Sequence, residues 1–165
     1  MHEDVYVRRD ETAIRQSRKV AAAGLQAALE AAQDTVLLRF LPEADAEPHV
    51  NDGSADTPVG ACLNVNANPF TGSQCRDSFL LCLGCPNAVA TARHLPRLMA
   101  LHAALSELAS ALPVDVWQAR WQEHFLRLSS LLELHTTEPE RAAALRDATV
   151  EEKDNIDRLL RGELA

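Results

Sequence analysis

Cys62, Cys75, Cys82 and Cys85 are the only cysteines in the 165 residues, and they fall in the order Cys-x12-Cys-x6-Cys-x2-Cys. Cysteines that act as small apolar residues are free to sit in any element, so their confinement to one short stretch asks for a shared purpose. Four thiols closing on a Cys-x-x-Cys pair can converge on one tetrahedral ion. The gap Leu83-Gly84 suits a tight turn that aims both flanking sulfurs at one centre; Gly84 relaxes the backbone and Pro86 stiffens the exit. Asn64, Asn66, Asn68, Pro69 and Gly72 make the first interval a loop, which lets Cys62 fold back. The seven-residue step from Cys75 to Cys82 predicts a short helix with both on one face. Four thiolates on zinc form a closed structural site with no open position for a substrate, and such a site contributes folding energy directly.

Other uses of the same thiols stay open. Two disulfides need an oxidising compartment, whereas the chain opens with Met1-His2-Glu3-Asp4 rather than an apolar leader. An iron–sulfur cluster also takes four thiolates, and Cys85-Pro86 resembles some cluster motifs. Reduced, unliganded thiols are the plainest alternative. His94 can replace one cysteine as a ligand; capping or packing beside the following helix is its simpler use.

The run Thr57-Pro58-x-Gly60-x-Cys62, then Cys75, Cys82-Leu83-x-Cys85-Pro86, Val89-x-Thr91 and Leu95-Pro96 resembles the cysteine-rich segment that lies after the catalytic domain in certain transposon- and phage-type tyrosine recombinases (integrases). Such recombinases carry their nucleophile in a segment like His-Tyr-x-x-Arg. Here His2-Glu3-Asp4-Val5-Tyr6-Val7-Arg8-Arg9 is similar, and Tyr6 is the only tyrosine. The resemblance implies that Tyr6 corresponds to the nucleophile and that the rest of the chain is the tail. The family also needs an arginine, a lysine and a His-x-x-Arg set upstream of the tyrosine, and only five residues precede Tyr6. The expectation is therefore a non-catalytic, zinc-binding helical protein that assists DNA integration or recombination through contacts with DNA or with a recombinase protomer. A protein–protein adaptor with a structural zinc, and an iron–sulfur redox sensor, are the alternatives.

Composition points the same way for the fold. Aromatic residues are 4% of the chain while apolar ones reach 47%, dominated by Ala and Leu, a bias toward packed helices over sheets. The net charge of −8 does not advertise nucleic-acid binding for the whole molecule. From Ala61 to Ala100, however, the formal charges are Arg76, Arg93 and Arg97 against Asp77, so those three arginines are the candidate DNA contacts. No apolar run approaches membrane-spanning length, and a cytoplasmic location is expected. Gly-rich phosphate loops, nucleophile elbows and His-Glu-x-x-His pairs are absent, and no small-molecule substrate is evident.

The elements that must position these residues are helices around a loop-rich insert. The expected organisation is an N-terminal helical region over 1–41, an acidic linker over 42–58, the four-cysteine metal-binding segment over 59–95 and a helical bundle over 96–165. Ile14, Val20, Ala21, Leu25, Ala28, Leu29 and Ala32 recur at helical steps from Asp10 to Gln33, with Arg15, Arg18 and Lys19 on the other, solvated face. Thr35–Leu41 suits either a strand or a helical piece. Pro96 opens a helix to about Leu112, and Asp115 is the expected cap of one running to His135. At helical spacing Trp117, Trp121 and Phe125 read as core rather than as a base-stacking surface. Thr137-Glu138-Pro139-Glu140 and Thr149-Val150-Glu151-Glu152 are capping boxes that start two further helices, the second stopped by Gly162.

Overall fold

The computed structural model describes residues 38–45 and 56–162. Tyr6, the helix expected over Asp10–Gln33 and its basic face lie outside the described residues. Within them the architecture is mainly helical: α1 (Leu95–Ala111), α2 (Val114–Arg120), α3 (Gln122–His135), α4 (Glu138–Asp147) and α5 (Val150–Leu160). A small sheet stands beside the helices, made of β1 (Arg39–Phe40), β2 (Asp56–Thr57), β3 (Gly60–Cys62) and β4 (Ala88–Ala90) in the order β1-β4-β3-β2. β1 runs parallel to β4, and the other two pairings are antiparallel.

Local chemistry explains the helix ends. Pro96 sits in the first turn of α1, where its missing N–H costs nothing, and Leu112 leaves the helix in extended backbone just before Pro113. In α4 and α5 both capping boxes form. The Glu140 carboxylate accepts from Thr137 N–H at 2.7 Å and the Glu152 carboxylate accepts from Thr149 N–H at 2.8 Å, while Thr149 Oγ1 accepts from Glu152 N–H at 3.1 Å. Gly162, at φ 74°, takes the left-handed conformation that ends α5.

The long helix expected from Asp115 to His135 is two helices. Trp121, at φ −128° and ψ −31°, interrupts it, and the first begins at Val114 after Pro113, so Asp115 lies inside the first turn instead of capping it. The break lets Trp117 meet Phe125 edge-on with ring centroids 5.7 Å apart, while His102 of α1 stacks on Phe125 at 4.8 Å. His102 Nε2 also lies 3.0 Å from Ser129 Oγ. Both tryptophans are half-buried and pack on the main core, as expected of core aromatics.

α1 is central: it packs against α3, α4 and α5. Leu98, Leu101, Leu105, Leu128, Leu131 and Ile156 close the core between them, and Leu80 and Leu83 from the cysteine stretch enter the same cluster. The cysteine stretch is thereby anchored to the helices rather than hung from them. A second, smaller cluster, Ala61 and Val89 with Leu41 and Leu63, packs at the sheet. Phe40 of β1 stacks on His135 at the end of α3, centroids 5.3 Å apart, which fixes the sheet edge against the bundle. No helix among the described residues is long and apolar enough to cross a membrane.

Candidate metal centre

Four backbone links bring the cysteines toward one end of the sheet. Cys62 ends β3 opposite Ala88 of β4, and Leu63 N–H donates to Asn87 O at 2.8 Å, so the chain leaving Cys62 runs beside the chain leaving Cys85. Ala88 N–H donates to Cys85 O at 3.0 Å. Cys85 N–H donates to Cys82 O at 3.1 Å, closing the turn of the Cys-x-x-Cys pair. Cys75 N–H donates to Val65 O at 2.8 Å, which ties the third stretch of chain to the residues just after Cys62. Asn87 Nδ2 adds bonds to Asn64 O at 3.3 Å and Ala67 O at 2.9 Å and holds the intervening loop down.

The path between Cys75 and Cys82 differs from the expected short helix. Residues 75–78 are irregular, and a 3-10 turn spans only Phe79–Gly84, so the two cysteines do not share a helical face. Buried Leu80 and Leu83 account for this: the tighter turn sends both leucines into the main core while Cys82 stays half-buried between them. Gly84 is not in a left-handed backbone conformation; its Cα faces the Arg127 side chain. A Cβ there would stand 2.7 Å from Arg127 Nη1, because the Arg127 guanidinium of α3 lies against the turn. Arg127 also pairs with Glu123 one helical turn away.

All four cysteines are half-buried and none is in a disulfide. They act on one another electrostatically. Burial, then the neighbouring Cys85, Cys75 and Cys62, and lastly Asp77, push the Cys82 thiol up to about 12. The Cys62 thiol is raised by burial, against a hydrogen bond from the Asn64 backbone that favours its thiolate, and further by Cys85 and Cys75. Ionising one thiol therefore works against ionising the next unless a cation stands among them. Among the described residues no group of three or more His, Cys, Asp or Glu side chains is placed to hold a metal ion.

His94, the alternative ligand, is fully buried and caps the segment before α1. Its Nδ1 accepts from Thr91 N–H at 2.9 Å, with Thr91 Oγ1 at 3.1 Å. That bond places the proton of the neutral ring on Nε2, which lies 3.8 Å from Asp56 Oδ1. Arg93 Nε stands 3.4 Å from the same nitrogen, a contact that cannot be a hydrogen bond while Nε2 carries the proton. Burial, then Arg97 and Arg93, lower the ring to about 4.

The candidate DNA-contacting arginines separate. Arg97 grips Asp56 with both ends of its guanidinium, Nη1 to Oδ2 at 2.9 Å and Nη2 to Oδ1 at 2.5 Å, across 41 residues of sequence. Arg93 meets Glu43 at 3.8 Å. Arg76 is exposed in the loop beside Cys75. Burial alone would raise Asp56, but Arg97 by hydrogen bond and charge, then His94 and the Thr57 backbone, hold it below its ordinary value.

This network predicts an acid-sensitive fold. A carboxylate held low contributes stability that is complete above its unfolded value and is lost as pH falls through the folded one. A histidine held low acts in the same direction, since the unfolded chain takes up its proton first. Stability is expected to decline from about pH 6.5 toward pH 4, by at most about 3 kcal/mol from His94. His94→Gln should flatten that part of the curve, and Asp56→Asn the part below it. Denaturant midpoints measured at intervals across this range test both; an unchanged slope in His94→Gln counts against the network.

Asn68, Asp77, Asp56 and Thr91 all support these groups, yet sequence spacing singles out none of them; only the Asn64-x-Asn66-x-Asn68 run hints at turns. No family model, no curated protein and no solved structure matches this chain.

Proposed function

We propose that the protein is a non-catalytic helical module held together by one zinc ion on Cys62, Cys75, Cys82 and Cys85, similar to the tail of a tyrosine recombinase, and that it assists DNA integration by contacting a recombinase protomer. The observation that carries the metal reading is the convergence of the four cysteine-bearing segments through β3, β4 and the 3-10 turn. A four-thiolate site leaves no coordination position for a substrate, so its role is to fix the loop on the bundle. The recombination role is supported by the motif over residues 57–96. Contact with protein is favoured over contact with DNA because the charges of Arg97 and Arg93 already meet Asp56 and Glu43. The same two ion pairs, with the net charge of −8, favour the second reading: a protein–protein adaptor with no part in recombination.

Elemental analysis and an absorption spectrum of protein purified without added metal test the centre. About one zinc per chain with no visible absorption is the expected result. Iron with visible bands replaces zinc by a cluster, and absence of any metal overturns the reading. Titrations with duplex DNA and with a recombinase catalytic domain then divide the roles. DNA affinity that falls steeply between about 50 and 200 mM salt would return Arg76, Arg93 and Arg97 to phosphate contacts. Failure to bind a recombinase would leave the adaptor.

A further inference from the structure

Asn68 is buried, only 4% exposed, in a loop of exposed neighbours, and every hydrogen-bonding position of its side chain is used. Oδ1 accepts from Phe70 N–H at 2.8 Å and from Thr71 N–H at 3.3 Å. Nδ2 carries two protons; one goes to Asp77 Oδ2 at 2.6 Å and the other to Cys75 Sγ at 3.8 Å. The reverse orientation of the amide would set Nδ2 against two backbone donors and Oδ1 against a carboxylate, so this orientation is the one its surroundings permit. Its main chain is tied as well: Asn68 N–H donates to Ser73 O at 2.7 Å, and Asn68 O accepts from Gly72 N–H at 2.7 Å.

From this we infer that Asn68 is the positioning residue of the cysteine centre: its amide aims the Cys75 sulfur. The inference rests on the four-cysteine reading above. A sulfur that accepts an N–H bond is held in one rotamer, as outer partners do for metal ligands generally. Asp77 fixes the amide from the other side and keeps its second proton from competing for the sulfur.

The informative variant is Asn68→Asp in the full chain. A carboxylate retains the acceptors for Phe70 and Thr71, so the loop keeps its turn, but it replaces the donor with an acceptor facing Cys75 and Asp77. Zinc affinity, read by competition with a chelator, should fall about tenfold to hundredfold, and the thiolate-to-cobalt absorption of the cobalt-loaded protein should shift. The double variant Asn68→Asp with Asp77→Asn rebuilds the pair with its partners exchanged while Cys75 still faces a carboxylate. Its thermal midpoint should recover while its metal affinity stays low. Wild-type zinc affinity in either variant would overturn the inference. If the parent protein takes up no metal, the centre itself fails, and Asn68 is then read from its side-chain amide resonances in the metal-free chain. They move on Cys75→Ala if the bond exists, and if they do not move the inference falls too.

Discussion

On the proposed zinc reading, Cys82→Ser is expected to lose the metal and to lower the thermal midpoint by about 10 °C or more. Cys82 is flanked by buried Leu80 and Leu83, so the turn that carries its sulfur also closes the core over α3. A serine hydroxyl does not ionise at this position and is a poor zinc ligand, so the three remaining thiolates would be too few to hold a structural zinc. Structural zinc sites are worth about 10–16 kcal/mol in small peptides, and losing even a third of that exceeds most single core substitutions. The loss should be local in kind. α1, α4 and α5 bury Leu98, Leu101, Leu105, Ala144 and Ile156 among themselves, so helical circular dichroism is retained at low temperature. Leu81→Ser is the control, because Leu81 is exposed in the same turn and its replacement should fall within about 0.5 kcal/mol. Calorimetry with elemental analysis on both variants checks this. Equal midpoints would make Cys82 an ordinary buried thiol.

How far the sequence reached depends on whether the deciding interaction is local. The capping boxes at Thr137 and Thr149, Pro96 at the start of α1 and Gly162 after α5 are all visible because each end is set by residues within four positions of one another. The half-buried tryptophans follow from helical periodicity in the same way. What periodicity cannot show is the sheet. Strands of two and three residues carry no repeat, and β1 pairs with β4 across almost the whole described cysteine stretch. Asp56 and Thr57, which belong by composition to the acidic linker, form β2 because Gly60 and Ala61 lie opposite them. The break at Trp121 contains neither Gly nor Pro and leaves no composition signal.

The candidate site divides along the same line. Its cysteines are legible from their count and spacing, whereas the residues that orient them depend on contacts reached through folding. Asn68 meets Asp77 only because the loop returns on itself, and Arg97 meets Asp56 only because β2 is laid beside α1. The three arginines that look like one basic patch in sequence are separated by that second pairing. Charge counted along a chain reports what is available; charge in a fold reports what is left after carboxylates of the same chain have been satisfied.

Gly60→Ala is expected to destabilise the fold by about 3 kcal/mol, the upper end of what overpacking usually costs, because this backbone position has no room to give. A Cβ at Gly60 would lie 2.3 Å from Val89 O and 3.2 Å from Val89 C. Both are main-chain atoms, so no side-chain rotation relieves the overlap. Val89 cannot retreat, because β4 is held between β1 and β3, with Val89 opposite both Arg39 and Ala61. Gly60 cannot retreat either: its N–H donates to Thr57 Oγ1 at 3.1 Å, and its carbonyl accepts from Thr57 Oγ1 at 3.1 Å and from Arg97 Nη2 at 3.4 Å. Any displacement therefore loosens the Arg97–Asp56 pair and moves Cys62, two residues on in the same strand. On the proposed zinc reading, metal affinity should fall along with stability. Gly72→Ala supplies the contrast, since Gly72 has a left-handed φ of 71° but open space around its Cβ position, and it should cost about 1 kcal/mol. Urea denaturation of the two variants side by side decides the matter: a Gly60→Ala chain as stable as Gly72→Ala would mean that β3 and β4 do not pair in this register.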